Sequence, residues 1–202
     1  MNKEKEIKNI ILDMGNVLLS YDPQIPLDLY AEGETAKELI RKELFEGPEW
    51  VERDKGNISD AEMYERVRMR IPEELHPQLL KCVEGWDICM KPVEGAKEFC
   101  DLAKEKGYQL YVLSNASERF YDYFPRFVSL DYFAGSVVSC DVHMVKPDPG
   151  IYAYLLEKYG LEAEESLFID DRQENIDGAA DAGMQVHLFQ NDYAGIAEMY
   201  LG

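Results

Sequence analysis

Residues 7–13 read IKNIILD, a short run of mostly β-branched and leucine side chains that stops on an acid. Such a run is what a central parallel strand needs, because helices cover both of its faces and leave no polar side. GNVLL at 15–19 then breaks the pattern with a glycine. The same grammar returns further along the chain. YQLYVLSN (108–115), SVVSC (136–140), SLFIDD (166–171) and QVHLF (185–189) all read as strands. Between them lie helical stretches. VEGAKEFCDLAKEK closes at Gly107, IYAYLLEKY opens after Asp148-Pro149 and is stopped by Gly160, and ENIDGAADAG precedes the last strand. A final helix ends the chain. Strands alternating with helices predict βαβ units and a Rossmann-like parallel sheet, hence an α/β fold.

One stretch departs from this rhythm. From Pro26 to Met90 the periodicity is helical only. Ser59-Asp-Ala-Glu62 is a capping box that opens the helix AEMYERVRMR, which Pro72 ends. The expected organisation is a core from residues 1–20 and 91–202, with a helical insertion over 21–90.

Composition narrows the function classes. Hydrophobic residues make up 46% of 202, enough to bury a core and to exclude intrinsic disorder. The formal net charge of −19 repels nucleic-acid phosphates and anionic lipid headgroups, so neither is an expected partner. Any anion the protein binds needs local positive charge from lysine, backbone N–H groups or a cation. Cys82, Cys89, Cys100 and Cys140 form no CxxC pair, and the reading is free thiols in a reducing cytosol. The first residues, MNKEKEIKN, lack the apolar stretch of a signal peptide, and no apolar run approaches the ~18 residues that cross a bilayer. A cytoplasmic location is expected. His76, His143 and His187 share no pattern and receive no role.

Four candidate sites fall where a strand gives way to a loop: Asp13, Ser114-Asn115, Lys146 and Asp170-Asp171. Ligands of open α/β sheets bind at those strand ends. Asp13 is either a strand-end cap or a carboxylate nucleophile toward phosphorus. Ser114 and Asn115 either form a turn or grip phosphate oxygens. Lys146 is either a solvated surface group or a point charge against phosphate and carboxylates. Asp170 and Asp171 either cap the next helix or, being adjacent like charges, call for a hard cation. With Asp13 they offer a carboxylate-rich magnesium site, since Mg²⁺ takes few protein oxygens and keeps waters. The shared location argues for the functional alternative in each case.

In this order the four sites resemble the motifs of the haloacid dehalogenase superfamily. DMGNVL at 13–18 is similar to the first motif, LSN at 113–115 to the second, KP at 146–147 to the third and IDDRQEN at 169–175 to the fourth in its two-aspartate form. The variants most resemble phosphatases related to α-D-glucose-1-phosphate phosphatase and the phosphatase domain of epoxide hydrolases. The resemblance implies a magnesium-dependent phosphatase acting on a small phosphorylated metabolite, a sugar phosphate above all, through an aspartyl-phosphate. It implies that residues 21–90 are a helical cap that sets substrate choice. Asp13 would be nucleophile and metal ligand, Gly15 would lend its carbonyl to the metal, and Asp171 would be the main further ligand with Asp170 beside it. Asn175 would close the last loop, and Ser114, Asn115 and Lys146 would hold the phosphoryl group.

Gly15 departs from the family pattern, which places a second aspartate two positions after the nucleophile as general acid and base. Asp22 is the sequence's substitute candidate, with Tyr21 as a pocket residue. Trp50, Trp86 and Tyr64 are expected to pack the interior of the lobe rather than face the cleft. Two competing readings remain: a dehalogenase, which needs no metal and would leave Asp170-Asp171 unexplained, and a phosphate-ligand binder without turnover, which Gly15 makes plausible.

Overall fold

The computed structural model describes residues 6–202. Five strands form one parallel sheet in the order β3-β2-β1-β4-β5. They are β1 (Asn9–Leu12), β2 (Gln109–Ser114), β3 (Gly135–Val138), β4 (Ser166–Asp170) and β5 (Gln185–Leu188). β1 lies at the centre, in register with Val112 on one side and Ile169 on the other through Leu12. It is wholly buried, as its uninterrupted apolar sequence requires.

The two faces of the sheet separate by alternation. Ile10, Leu12, Leu110, Val112, Leu167 and Ile169 pack into one apolar cluster. Ile11, Tyr111, Leu113, Val137 and Phe168 pack into the other, against helices that follow later in the chain.

The helices are α1 (Gln24–Tyr30), α2 (Glu34–Ile40), α3 (Pro48–Asp54), α4 (Asp60–Arg68), α5 (His76–Gly85), α6 (Ala96–Glu105), α7 (Phe120–Tyr123), α8 (Ser139–Val142), α9 (Pro149–Tyr159), α10 (Gln173–Asp181) and α11 (Tyr193–Tyr200). Residues 24–89 hold helices and no strand. Their apolar side chains, among them Leu27, Ile40, Trp50, Met63, Leu79 and Trp86, join the first cluster without a break.

Local signals explain most boundaries. Ser59 accepts from the Glu62 N–H while the Glu62 carboxylate accepts from the Ser59 N–H, so the expected capping box opens α4. That helix stops at Arg68, before Pro72. Asp148 caps α9, and Gly160, at φ 63°, ends it in the left-handed conformation that glycine adopts without strain. The stretch SVVSC is strand only as far as Val138; Ser139 begins α8 instead. The cause is long-range, because the buried Ser139 hydroxyl donates to the Asp54 carbonyl and accepts from the Ala116 N–H at 2.9 Å. No helix among the described residues is long and apolar enough to cross a membrane.

Candidate active site

The central strand and its neighbours β2 and β4 end side by side, and their last residues carry the polar groups. The Asp13 N–H donates to the Ile169 carbonyl at 2.9 Å, which brings Asp13 level with Asp170. Lys146 enters from the loop before α9 and is held by Asn115. The Asn115 amide donates to the Lys146 carbonyl at 3.0 Å, and its oxygen accepts from the Lys146 N–H at 2.7 Å. The Lys146 ammonium then donates to Asp13 Oδ1 at 2.6 Å, Asp170 Oδ2 at 2.7 Å and the Leu113 carbonyl at 2.9 Å. Its side chain is 1% exposed, so these bonds form out of reach of bulk water.

Asp170 is fully buried and heavily bonded. Besides Lys146, it accepts from the Asn175 amide at 3.0 Å and from the Arg172 N–H at 2.9 Å. Asp171 is half-buried and accepts from the Asn16 amide at 3.0 Å. Asn16 sits at φ 56°, a left-handed conformation that asparagine tolerates, and its oxygen accepts from the Tyr21 N–H at 2.9 Å. Asp13, Asp170 and Asp171 thus offer ligand atoms that all lie within 4.8 Å of one another.

Three acids face one lysine, and the electrostatics record the imbalance. Burial pushes the Asp13 carboxyl up; Lys146 pulls it back, Asp170 and Asp171 push it up again, and it stands at about 7. Asp171 is raised by burial and by Asp170. Burial alone would lower Lys146, but Asp13 and Asp170 outweigh it and hold the ammonium charged. Asp13 Oδ2 receives no donor from the described residues. A divalent cation fits this donor set: it would relieve the mutual repulsion of three clustered carboxylates and occupy the open oxygen.

A cavity of about 560 Å³ opens over the cluster. The loop residues Asp13, Gly15, Asn16, Asn115, Lys146 and Asp171, with Asn175 on α10, line one part of it. The helical segment contributes Tyr21, Phe45, Trp50, Arg53, Asp54 and Trp86, and α7 contributes Tyr123. The two tryptophans therefore both pack, with ring centroids 5.4 Å apart, and face the cleft, whereas Tyr64 packs against the apolar cluster away from it.

The remaining expected site residues fall as follows. The Gly15 backbone lines the cavity beside Asp13. The Ser114 hydroxyl is buried without a hydrogen-bond partner among the described residues, and Ser114 is not among the residues that line the cavity. The Asn115 side chain is committed to the Lys146 backbone, so it positions the lysine. Asp22 is exposed, accepts from the Gln24 N–H at 2.9 Å at the start of α1 and is not among the residues that line the cavity. Sequence reasoning missed Asn16, Arg53 and Asp54. The last two follow Trp50 on one helical turn of α3, and only the pairing of adjacent opposite charges next to an aromatic hinted at them. The His76 ring bonds the Arg68 and Ile71 carbonyls, and the His143 ring the Lys55 carbonyl at 2.8 Å.

The parallel sheet brings clustered carboxylates and a lysine to its central strand ends, and the comparisons give the class. The family model for haloacid dehalogenase-like hydrolases matches residues 7–183, and the chain belongs to that family. It is 25% identical over 180 residues to the sesquiterpene phosphatase astK of Aspergillus oryzae, covering 88% of this chain and 87% of the relative. Its fold is similar to a variant of the HAD family enzyme bt-2542 of Bacteroides thetaiotaomicron, solved in complex with magnesium and inorganic phosphate. The TM-score is 0.72 at 22% identity, covering 92% of this chain and 95% of that one. It is also similar to 2-haloacid dehalogenase from Pseudomonas syringae, with a TM-score of 0.62 at 18% identity over 91% and 86% of the chains.

Proposed function

We propose that this hydrolase is a magnesium-dependent phosphomonoesterase acting on a small phosphorylated metabolite, with a sugar phosphate as the favoured class. One observation carries the reading: three carboxylates converge within 4.8 Å around a single buried lysine, beside a cavity. Displacement of halide from carbon by an aspartate needs no such cluster. Magnesium would be held by Asp13, Asp171 and the Gly15 carbonyl, with Asp170 adjacent, and when bound it supplies positive charge to the phosphoryl oxygens. The phosphatase name of the relative covering most of both chains supports the same reading.

The chain's own residues divide the work. Asp13 Oδ2 attacks phosphorus to give an aspartyl-phosphate, which water then hydrolyses. Lys146 holds Asp13 in line through Oδ1 and neutralises developing charge. Asn115 fixes the lysine backbone, and Asn175 and the Arg172 N–H fix Asp170. Residues 21–90 act as the cap, and their Trp50, Trp86 and Tyr21 rings give the organic group of the substrate flat apolar walls. The cavity volume suits one sugar-sized group beside the phosphate. The four free cysteines are consistent with a cytoplasmic setting.

The test is phosphate release from a panel of phosphorylated sugars, nucleotides and short-chain acids, with magnesium and with chelator, run beside 2-chloro acids. Magnesium-dependent release from at least one ester is expected. Metal-independent halide release without phosphatase activity would replace this reading with the dehalogenase one.

A further inference from the structure

One buried carboxyl in the cavity has no task in that reaction. Four acids line it: Asp13, Glu46, Asp54 and Asp171. Asp13 and Asp171 belong to the cluster, and Glu46 is exposed. Asp54 alone is both buried and outside the cluster. The reaction, for its part, lacks a group. At Gly15 there is no side chain to protonate the departing oxygen.

The placement of Asp54 is fixed from two directions. Its carbonyl accepts the Ser139 hydroxyl, and that hydroxyl accepts from the Ala116 N–H, two residues beyond Ser114. The end of α3 is thereby tied to the same loop whose Asn115 sets Lys146. Its side chain is oriented by Arg53, which donates to Oδ1 at 3.0 Å. Arg53 is itself held in place: its guanidinium is buried and lies 3.8 Å from the Trp50 ring centroid and 4.9 Å from that of Trp86. Asp54 Oδ2 receives no donor from the described residues. An anchored carboxyl that lines the cavity it shares with the nucleophile, and keeps one oxygen free of donors among the described residues, can serve as a proton donor.

We propose that Asp54 is the general acid and base of the hydrolysis, supplying from α3 the carboxyl that Gly15 does not; this rests on the phosphatase reading above. In the first half, Asp13 Oδ2 bonds to phosphorus as the ester P–O bond breaks. The Asp54 proton passes to the departing oxygen, so the alcohol leaves neutral. In the second half, the Asp54 carboxylate takes a proton from water as the water oxygen bonds to phosphorus. The Asp13–phosphorus bond breaks, releasing inorganic phosphate and restoring both acids. Burial pushes the Asp54 carboxyl up to about 6 against the opposing pull of Arg53, so near neutrality a fraction keeps its proton and the group can both give and take one.

The experiment compares wild type and Asp54→Asn with magnesium, using an alkyl phosphate and p-nitrophenyl phosphate, and traps phosphoenzyme by acid quench. The variant should lose roughly 10²- to 10⁴-fold on the alkyl ester. It should still be phosphorylated by the aryl ester, whose leaving group needs no proton, and should accumulate phosphoenzyme. Equal losses in the rate at which the two esters phosphorylate the enzyme, or no loss with either, overturn the assignment of Asp54 and leave the phosphatase reading standing. A wild type that releases phosphate from no ester brings down both. Should the variant not fold, wild type alone decides. The alkyl-to-aryl rate ratio must fall as pH rises through the ionisation of Asp54, and a flat ratio overturns the proposal. The charged and titratable groups facing Asp54 are Arg53 beside it, Asp60 on α4, Tyr21, Tyr123 on α7 and Cys140 on α8. The tyrosines and the cysteine, raised by burial, stay neutral across pH 5–8.

Discussion

Replacing Lys146 with methionine keeps much of the side-chain volume and removes the cation that contacts the acidic cluster. In the native structure that ammonium satisfies Asp13, Asp170 and the Leu113 carbonyl at 2.6, 2.7 and 2.9 Å. Without it, two buried carboxylates face each other with Asp171 nearby. Breaking a buried ion pair from one side costs about 3–5 kcal/mol. Asp13 can escape part of that penalty by taking a proton, which its raised pKa of about 7 favours, so the loss should grow as pH rises. A loss of about 4 kcal/mol lowers Tm by roughly 8–16 °C in a chain of this size. A bound divalent cation replaces the missing charge; at a hundred times its Kd it returns about 2.7 kcal/mol. Urea and thermal unfolding followed by circular dichroism, in chelator and in magnesium, measure both effects. Magnesium should stabilise the variant more than wild type. A variant within ~0.5 kcal/mol of wild type in chelator would refute the idea that Lys146 neutralises this cluster.

Three further outcomes are expected. Asp13→Asn keeps the shape of the site and removes one of its negative charges, so it should fold at least as well as wild type in chelator while releasing no phosphate; wild-type turnover would end the covalent mechanism. Gly15→Asp should fold, because a Cβ there meets only Asp13 Oδ2, at 3.7 Å. It should speed hydrolysis of alkyl esters, leave aryl esters little changed and restore the alkyl activity lost in Asp54→Asn, whereas equal damage to all substrates would mean the glycine is kept for its backbone. Magnesium affinity, measured by calorimetry, should weaken below about pH 7, because the cation must displace the proton held by Asp13. The sign follows from the raised pKa: between 3.8 and 7 the folded metal-free protein binds more protons than the unfolded chain, so this group's contribution to stability falls as pH rises through that window. An affinity flat across pH 5–8 would contradict it.

The parallel sheet and the strand-end acids were legible in the sequence because both are local. Ile10–Leu12 and Leu167–Ile169 announce buried strands by composition, and each ends on an aspartate. What escaped depends on partners far away in sequence. Ser139 turns the chain out of β3 because it meets Asp54 and Ala116, and a β-rich pentapeptide gives no sign of that. Asn16 reaches Asp171 across the sheet. Asn115 reads as a phosphate ligand until Lys146 is seen to take both ends of its amide. Asp54 lines the cavity and Asp22, the nearest acid in sequence, does not, because distance along the chain says little about who shares a cavity.

The unbroken apolar cluster that runs from Leu12 and Val112 through Trp50 and Leu79 has a consequence for engineering. Residues 24–89 are not a detachable cassette. Excising them would uncover the apolar side chains they share with the core, even though α6 packs on β2, and a lobe grafted from a cousin would have to match that inner contour as well as supply new contacts for a substrate. Swaps confined to the side chains lining the chamber avoid that constraint and are the practical route to altered selectivity.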